Sequence, residues 1–398
     1  MPSVGAAKLL DSITASLRRG CPTVPPDLYY RIVAFSRPRS LAQIWFRTRG
    51  CRYRIQGGGC TVCDYSVSNK PTSRRMIESV AAAISELPFE PQTLVLSASG
   101  SFLDPWEVPA EARTGILRLI ARRLPSTEVI IETHASTVTN ETVGACVALV
   151  ESERLGVELG LECTDPTALK FCLNKHLTLP SFRRALSVIA SFSGVRATAN
   201  ILIGIPFLTM AESARSAIDT VNWAFGNCVD RCVLFPVNIR PYTLAHWLCS
   251  RALWSPPTLW DLVNVLVSVP AAVLDRVDIA WFAPSKHASP PSAETLVPPG
   301  TCPQCYDHVV TLLTRYADGL NRHVVRRELA NIVCTCKVQR DSSTGYSQPL
   351  GDRLLEAYKM ATLELLGPEV WQQKRAQVTE ELNDLNTAEN AQHWLHIP

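Results

Sequence analysis

The stretch that decides the fold reads Gly50-Cys-Arg-Tyr-Arg-Ile-Gln-Gly-Gly-Gly-Cys-Thr-Val-Cys-Asp-Tyr65. It sets Cys51, Cys60 and Cys63 in one loop, with the spacing C-x8-C-x2-C. Iron–sulfur clusters are held by Cys thiolates, normally four of them. Three thiolates from one loop would leave the fourth iron of a 4Fe–4S cluster open to another molecule. The run Gly57-Gly58-Gly59 lets the backbone fold tightly there, because glycine has no Cβ to clash at unusual dihedrals. Just upstream, Ala42-Gln-Ile-Trp-Phe-Arg-Thr48 reads as a strand feeding the loop. The rival readings are a zinc knuckle and three unrelated buried thiols. A structural zinc site closes with four ligands, and no fourth Cys or His lies nearby in the sequence.

Outward from the loop, helical and strand patterns alternate. Residues 73–87 place Ile77, Val80, Ile84 and Leu87 at helical spacing. The apolar run 93–97 reads as a buried strand, ending in Ser99-Gly-Ser-Phe-Leu-Asp104. Strands are expected at 128–132, 156–162, 196–203 and 231–236, with a last candidate at 278–282. Helices are expected at 110–123, 140–151, 166–172, 179–191 and 209–225. About six strand–helix repeats predict a parallel sheet with right-handed crossovers. The fold class is therefore α/β, as an incomplete (β/α)6 barrel. Chemistry in such barrels gathers at the carboxyl ends of the strands. The polar residues at those ends are Thr48, Ser99 to Ser101, Glu132 to His134, Glu162, Asn200 and Asn238. Asp104 and Asp165 could equally be caps of the next helix.

Composition bounds the rest. The chain has 398 residues, 46% of them hydrophobic and 19% charged, enough for a large core. A net charge of +3 gives no strong electrostatic case for a nucleic-acid or membrane partner. Arg47, Arg49, Arg52 and Arg54 flank the loop and could meet phosphates or a carboxylate, or be solvated. Residues 1–20 carry Lys8, Arg18 and Arg19 and no continuous apolar segment of a signal peptide, and no run is long enough to span a membrane. A cytoplasmic location is expected, in which the fourteen cysteines stay reduced. Residues 1–40 read as an N-terminal helical extension (Leu9, Leu10, Ile13 and Leu17 on one face, then Cys21 to Pro26), packing outside the barrel. Residues 41–285 form the barrel and 286–398 a Cys-rich, mainly helical C-terminal region.

In that last region Cys302-Pro-Gln-Cys305 and Cys334-Thr-Cys336 make a four-thiolate set. Four thiolates are a usual structural zinc arrangement; an auxiliary iron–sulfur cluster is the rival. A helix over 308–329 would be stapled by the metal. The other cysteines, at 21, 146, 163, 172, 228, 232 and 249, read as core residues. Residues 350–398 read as a polar-faced helix pair without an evident role.

Taken together, these motifs resemble the radical S-adenosylmethionine (SAM) superfamily. Within its elongator-like branch they resemble the archaeosine-synthase radical SAM subunits (RaSEA). The matching stretches run in order over roughly residues 40–340. They are the three-Cys loop, Ser99 to Asp104 with Glu107-Val-Pro109, Gly160-Leu-Glu162 with Leu173-Asn-Lys175, and Pro206-Phe-Leu-Thr209. Asn238, Thr243-Leu244, Pro256 to Trp260 and the C-terminal cysteine pairs complete the series. The combination is far more specific than any one motif. The chain departs from the pattern at Glu132-Thr-His-Ala-Ser136, at Ile203-Gly-Ile-Pro206 and at His176, which points to a changed substrate.

The resemblance implies an enzyme that binds a 4Fe–4S cluster through Cys51, Cys60 and Cys63. It implies reductive cleavage of SAM to a 5′-deoxyadenosyl radical that abstracts hydrogen from substrate. Ser99, Gly100 and Ser101 would approach the SAM amino group. Glu132, Glu162 and Asn200 are candidates for SAM contacts, since strand-end carboxylates accept hydrogen bonds from ribose hydroxyls or ammonium. His134 and Asn238 are weaker candidates for the substrate side, His134 being equally readable as an ordinary hydrogen-bonded histidine. The family's chemistry is C–N bond cleavage (lyase) in a lysine-bearing 7-deazaguanine of tRNA, a step of tRNA modification. A small amino-acid or nucleoside intermediate of biosynthesis is the alternative substrate. Two other readings are a transferase reaction moving SAM's 3-amino-3-carboxypropyl group, and a non-catalytic Fe–S or zinc scaffold binding RNA or a protein. Expected partners are the substrate and a flavodoxin- or ferredoxin-like electron donor, with no membrane.

Overall fold

The computed structural model describes residues 5–20, 30–35, 40–64, 71–283, 296–342 and 348–394. The proline-rich approach with Cys21, Tyr65 and the expected linker from Lys286 onward lie outside the described residues. In chain order the elements are α1 (Ala6–Leu17), β1 (Tyr30–Phe35), β2 (Leu41–Phe46), α2 (Arg52–Gly57), α3 (Ser73–Ser85), β3 (Thr93–Ala98), α4 (Ala110–Arg123) and β4 (Glu128–Thr133). Then come α5 (Asn140–Val147), β5 (Leu155–Glu162), α6 (Leu179–Ala190), β6 (Arg196–Ile203), α7 (Met210–Gly226), β7 (Arg231–Pro236), α8 (Leu244–Ser250), α9 (Leu259–Ser268) and β8 (Val277–Ile279). The last are α10 (Pro303–Ala317), α11 (Arg322–Ala330), α12 (Thr335–Ser342), α13 (Leu350–Leu365) and α14 (Pro368–Trp394).

The strands form one eight-stranded sheet in strict sequence order, β1 to β8. From β2 to β8 all neighbours are parallel, while β1 runs antiparallel along β2. Successive strand residues point to opposite faces. On one face Ile44, Leu96, Ile131, Val157, Ala199 and Leu234 are buried in the main core, against α3 to α7 and α9. The alternate positions, among them Gln43, Ser97, Glu132, Glu158 and Asn200, take the opposite face. A sheet covered by helices on one face and lined by polar groups on the other is the curled half-barrel expected from the alternation.

A second core sits beyond the carboxyl ends of β5 to β7. It joins α1 (Leu9, Leu10, Ile13), the segment around Leu169 and Phe171, Ile205 to Leu208, α8, and α13 with α14. The C-terminal helix pair thus has a definite place, over the N-terminal helix. Tyr358, 1% exposed, donates from its hydroxyl to the Phe171 carbonyl at 2.6 Å.

Several local expectations change. Tyr30–Phe35 is a strand on the sheet edge, in a region read as helical extension. The helix expected over 308–329 is two, α10 and α11, because Gly319 (φ 75°) and Asn321 (φ 49°) turn the chain through left-handed backbone. The helix expected over 166–172 is a π-helical turn, Ala168–Cys172, closed by the Leu173 N–H on the Ala168 carbonyl. Asp104 and Asp165 do act as local caps, accepting from the backbone N–H of Trp106 and Thr167 at 2.8 Å each. Among the lone cysteines, Cys146, Cys163, Cys172 and Cys232 are buried and Cys249 is half-buried. Cys228, at a left-handed φ of 62°, is exposed rather than in the core. No helix among the described residues is long and apolar enough to cross a membrane.

Candidate cluster and cofactor site

The three-cysteine loop leaves the carboxyl end of β2. Its long spacer is not slack: residues 52–57 form the short helix α2, and Cys51 stands at its N-terminal cap position. Gly58 ends the helix at φ 70°, where a Cβ would lie 2.3 Å from the Asp11 carbonyl oxygen of α1. Cys60 to Cys63 then close a turn, with the Cys63 N–H on the Cys60 carbonyl at 3.3 Å. All three residues are half-buried as a whole. Burial pushes the Cys51 thiol up to about 12, with Glu107 and Cys60 adding to the rise. Burial also raises Cys60, while Lys175 and Arg18 pull it back.

The loop is fastened from several sides. The Thr61 N–H bonds the Leu173 carbonyl at 3.0 Å, and its hydroxyl bonds the Cys172 carbonyl at 2.8 Å. Asn174, fully buried, donates from Nδ2 to the carbonyls of Gly57 and Gly59 at 3.0 Å each. The Arg18 guanidinium reaches the carbonyls of Gly58, Cys60 and Cys63. Arg240 stands 3.8 Å from Asp64.

The Ser-Gly-Ser segment lies against this loop. An added Cβ at Gly100 would meet the Cys51 Cα at 3.4 Å and Glu107 Oε2 at 1.9 Å, and φ is 155° there. Glycine is therefore required by close approach. Ser99 Oγ accepts the Thr48 N–H at 2.8 Å, and Ser101 Oγ accepts the His134 N–H at 3.2 Å. These hydroxyls stitch the ends of β2, β3 and β4 together. Glu107, 2% exposed, bridges the two segments: Oε1 accepts the Arg52 N–H at 2.7 Å and Oε2 accepts the Ser101 N–H. Burial raises its carboxyl to about 7, against those two hydrogen bonds and with Asp104 adding to the rise. Sequence reasoning placed Glu107 in a motif but not in the site; the bond that matters spans 55 residues to Arg52.

Along the lumen, Glu132 on β4 pairs in register with Glu158 on β5. Burial and then the neighbouring Glu158 raise Glu132 to about 8, with a hydrogen bond to Ser97 opposing. Gln43 Nε2 donates to Ser97 Oγ at 2.5 Å, extending the chain to β2. Glu158 was missed, although the period of two in Gly156, Glu158, Gly160, Glu162 puts it on the face of Glu162. Glu162 ends β5 at φ 66°, beyond a register shift. Its Oε1 takes Lys175 Nζ at 2.5 Å, and its buried Oε2 has no partner among the described residues. On the adjoining strand, Asn200 Oδ1 is likewise buried and unpartnered among the described residues. Two orphaned acceptors on neighbouring strands, one at the end of β5 and one inside β6, fit a ligand carrying hydroxyl or ammonium donors, as SAM does. His134 uses Nδ1 to accept the Ser136 N–H at 3.2 Å, which assigns the ring proton to Nε2; burial, with Lys175 and His176, lowers it to about 4. Asn238 donates to the carbonyls of Pro236 and Trp281, tying β7 to the segment after β8.

The C-terminal cysteines converge. Cys302, Cys305, Cys334 and Cys336 place their sulfurs within 4.8 Å of one another, with neighbouring pairs 3.4–3.6 Å apart. A tetrahedral ion with Zn–S bonds of about 2.3 Å sets its sulfurs roughly 3.8 Å apart. A cubane binds each thiolate to a separate iron and needs them wider, so the donor set fits one ion. The Trp260 indole N–H donates to Cys336 Sγ at 3.1 Å, as a support for a thiolate.

Two relatives carry the name archaeosine synthase subunit beta. That of Methanosarcina acetivorans is 28% identical over 235 residues, covering 57% of this chain and 66% of that protein. That of Thermococcus kodakarensis is 27% identical over 237 residues, covering 58% and 72%. The match thus spans just under two thirds of the first relative's length. Among solved structures, the radical S-adenosylmethionine methyltransferase TsrM of Kitasatospora setae aligns at a TM-score of 0.45 and 11% identity, over 72% of this chain and 60% of that one. No family profile matches the chain. The resemblance to archaeosine synthase subunits read from the motifs therefore holds over more than half of the sequence.

Proposed function

We propose that this relative of the archaeosine synthase beta subunits is a radical SAM enzyme. The observation that carries the reading is the joining of the Cys51, Cys60 and Cys63 loop to Ser99–Ser101 through Glu107, at the carboxyl edge of the sheet. Cys51, Cys60 and Cys63 would hold a 4Fe–4S cluster, and Gly100 with Glu162 and Asn200 would hold SAM. Bound there, the pair supplies one-electron cleavage of SAM, with the electron from a flavodoxin- or ferredoxin-like donor. The chain's own residues do the rest. Glu107 fixes the backbone of Arg52 and Ser101 relative to each other, and so keeps the SAM segment in place against Cys51. Lys175 neutralises one oxygen of Glu162 and leaves the other for a ligand donor. Glu132, its carboxyl raised to about 8 by burial beside Glu158, and Glu158 offer hydrogen-bond acceptors to an amino group deeper in the lumen.

That pair supports an amino-bearing substrate. The lysine-bearing 7-deazaguanine of tRNA, cleaved at a C–N bond, is the substrate that the motif resemblance implies, and the name archaeosine synthase of two relatives supports it; a small amine-bearing intermediate uses the same groups. His134 enters neutral and Asn238 acts as a brace. For Cys302, Cys305, Cys334 and Cys336 we assign one zinc ion, on the sulfur spacing.

The test is anaerobic reconstitution with iron and sulfide, then SAM and dithionite, with product analysis by mass spectrometry. Formation of 5′-deoxyadenosine that is lost in the Cys51/Cys60/Cys63→Ala triple variant supports the reading. Methylthioadenosine in its place would mean 3-amino-3-carboxypropyl transfer. Neither product from a protein loaded with cluster, SAM and a lysine-bearing deazaguanine tRNA would sink the catalytic reading.

A further inference from the structure

Arg18 lies outside both the cysteine loop and the sheet, yet it bonds three carbonyls of the loop's backbone. It follows α1 in a single 3-10 turn and is 7% exposed. Nη1 donates to the Gly58 carbonyl at 2.5 Å, and Nη2 donates to the carbonyls of both Cys60 and Cys63 at 2.5 Å each. Two of the three cysteine peptide units thus converge on one nitrogen. Gly59 leaves the room for it: a Cβ there would lie 1.9 Å from Nη1. The guanidinium fork is planar and always charged, so it fixes three acceptors in one plane, which a flexible ammonium does not. Its charge also acts on Cys60, favouring the thiolate.

α1 is placed by its own contacts. Asp11 Oδ1 accepts from Asn174 Nδ2 at 3.0 Å, the amide that also holds Gly57 and Gly59. The Ala6 N–H bonds Glu381 of α14 at 2.7 Å, and Ser16 Oγ bonds the Leu365 carbonyl of α13 at 3.2 Å. The loop is therefore held by a helix that the C-terminal pair holds in turn.

We infer that Arg18 is a positioning residue for the cluster: its fork sets the spacing of Cys60 and Cys63, and its charge raises the cluster's reduction potential. This rests on the assignment of a cluster to Cys51, Cys60 and Cys63. Hydrogen bonding and net charge around a cluster are among the factors that set its potential. A cation removed from beside an anionic cluster makes the added electron less favourable.

The full chain is compared as wild type, Arg18→Met, Arg18→Lys and, as a surface control, Arg19→Ala. Each is reconstituted anaerobically, and loop-bound iron is taken as the difference from the Cys51/Cys60/Cys63→Ala variant in the same background. The readouts are the rate of iron loss to a chelator, the cluster midpoint potential and the thermal unfolding of the protein. The expected result is iron loss at least severalfold faster in Arg18→Met, with a lower potential, while Arg19→Ala matches wild type. Arg18→Lys is expected to recover the potential but not the retention of iron, which separates charge from geometry. If Arg18→Met fails to fold, Arg18→Lys decides: retention equal to wild type overturns the fork. Arg18→Met equal to wild type in both iron loss and potential overturns the inference. If wild type itself takes up no loop iron, it is the cluster assignment that fails.

Discussion

Glu132 is buried beside another carboxylate, and that decides how it titrates. Its folded-state carboxyl sits at about 8 instead of 4.5, so between those values the folded chain holds a proton that the unfolded chain releases. Stability from this group is complete below about pH 4.5 and is lost as pH rises through about 8. Glu132→Gln should flatten that decline, which melting temperatures across pH 5–8 would show against wild type. A variant that declines just as steeply would remove Glu132 as the cause. Gly100→Ala is a harsher test, since the new methyl meets Glu107 and strains the backbone at φ 155°. Displacing reacting groups by about 1 Å can cost on the order of 100-fold, so 5′-deoxyadenosine formation should fall by about that much. Unchanged turnover would remove Gly100 from the cofactor site. At this scale the sequence was readable where a residue's meaning is local: cysteines in one loop, polar groups at strand ends. Arg18, Glu107 and Lys175 escaped because each is defined by a partner on another segment.

The strands were legible as elements because parallel strands buried on the helix side carry long apolar runs, and all seven were placed within a few residues. Tyr30–Phe35 was not, since six apolar-rich residues after a proline cluster carry no period that separates a strand from a linker. The split of α10 from α11 turned on Gly319 and Asn321, which a helical reading ran through. The C-terminal cysteines were legible by spacing alone. They join the start of α10 to α12, and Arg340 of α12 reaches Asp261 of α9 at 3.0 Å. Cys302→Ser or Cys334→Ser should abolish binding of the proposed zinc ion and loosen α10 to α12. Elemental analysis and amide exchange would follow these two effects. Iron in a sulfide-containing cluster at these four residues would contradict the single-ion assignment.

At the scale of the whole molecule, two cores divide the work. The main core shapes the half-barrel, and the second holds α1 against α13 and α14 across the carboxyl ends of β5 to β7. Tyr358 couples the C-terminal pair to the π-helical turn behind the cysteine loop. Tyr358→Phe removes the hydroxyl donor from the Phe171 carbonyl and should cost about 0.5–1.5 kcal/mol in a denaturant titration. A chain cut after residue 349 keeps all seven proposed metal-binding cysteines but loses the seat of α1. It should hold loop iron far less firmly than the full chain, and equal retention would show that α1 docks without the pair.

The strict strand order has a consequence in time. Each strand of the half-barrel can join the sheet as soon as it leaves the ribosome, because its neighbour has already been made. α1 waits for the last of its partners: it also packs on α2, the π-helical turn and α8, but α13 begins more than 330 residues after α1 ends. At about 5–20 residues per second, that is a wait of tens of seconds. Through that interval the nascent sheet can form while α1 still lacks its C-terminal seat, a window in which the proposed cluster could be loaded. Arrival of the last two helices would then shut the loop behind its cargo.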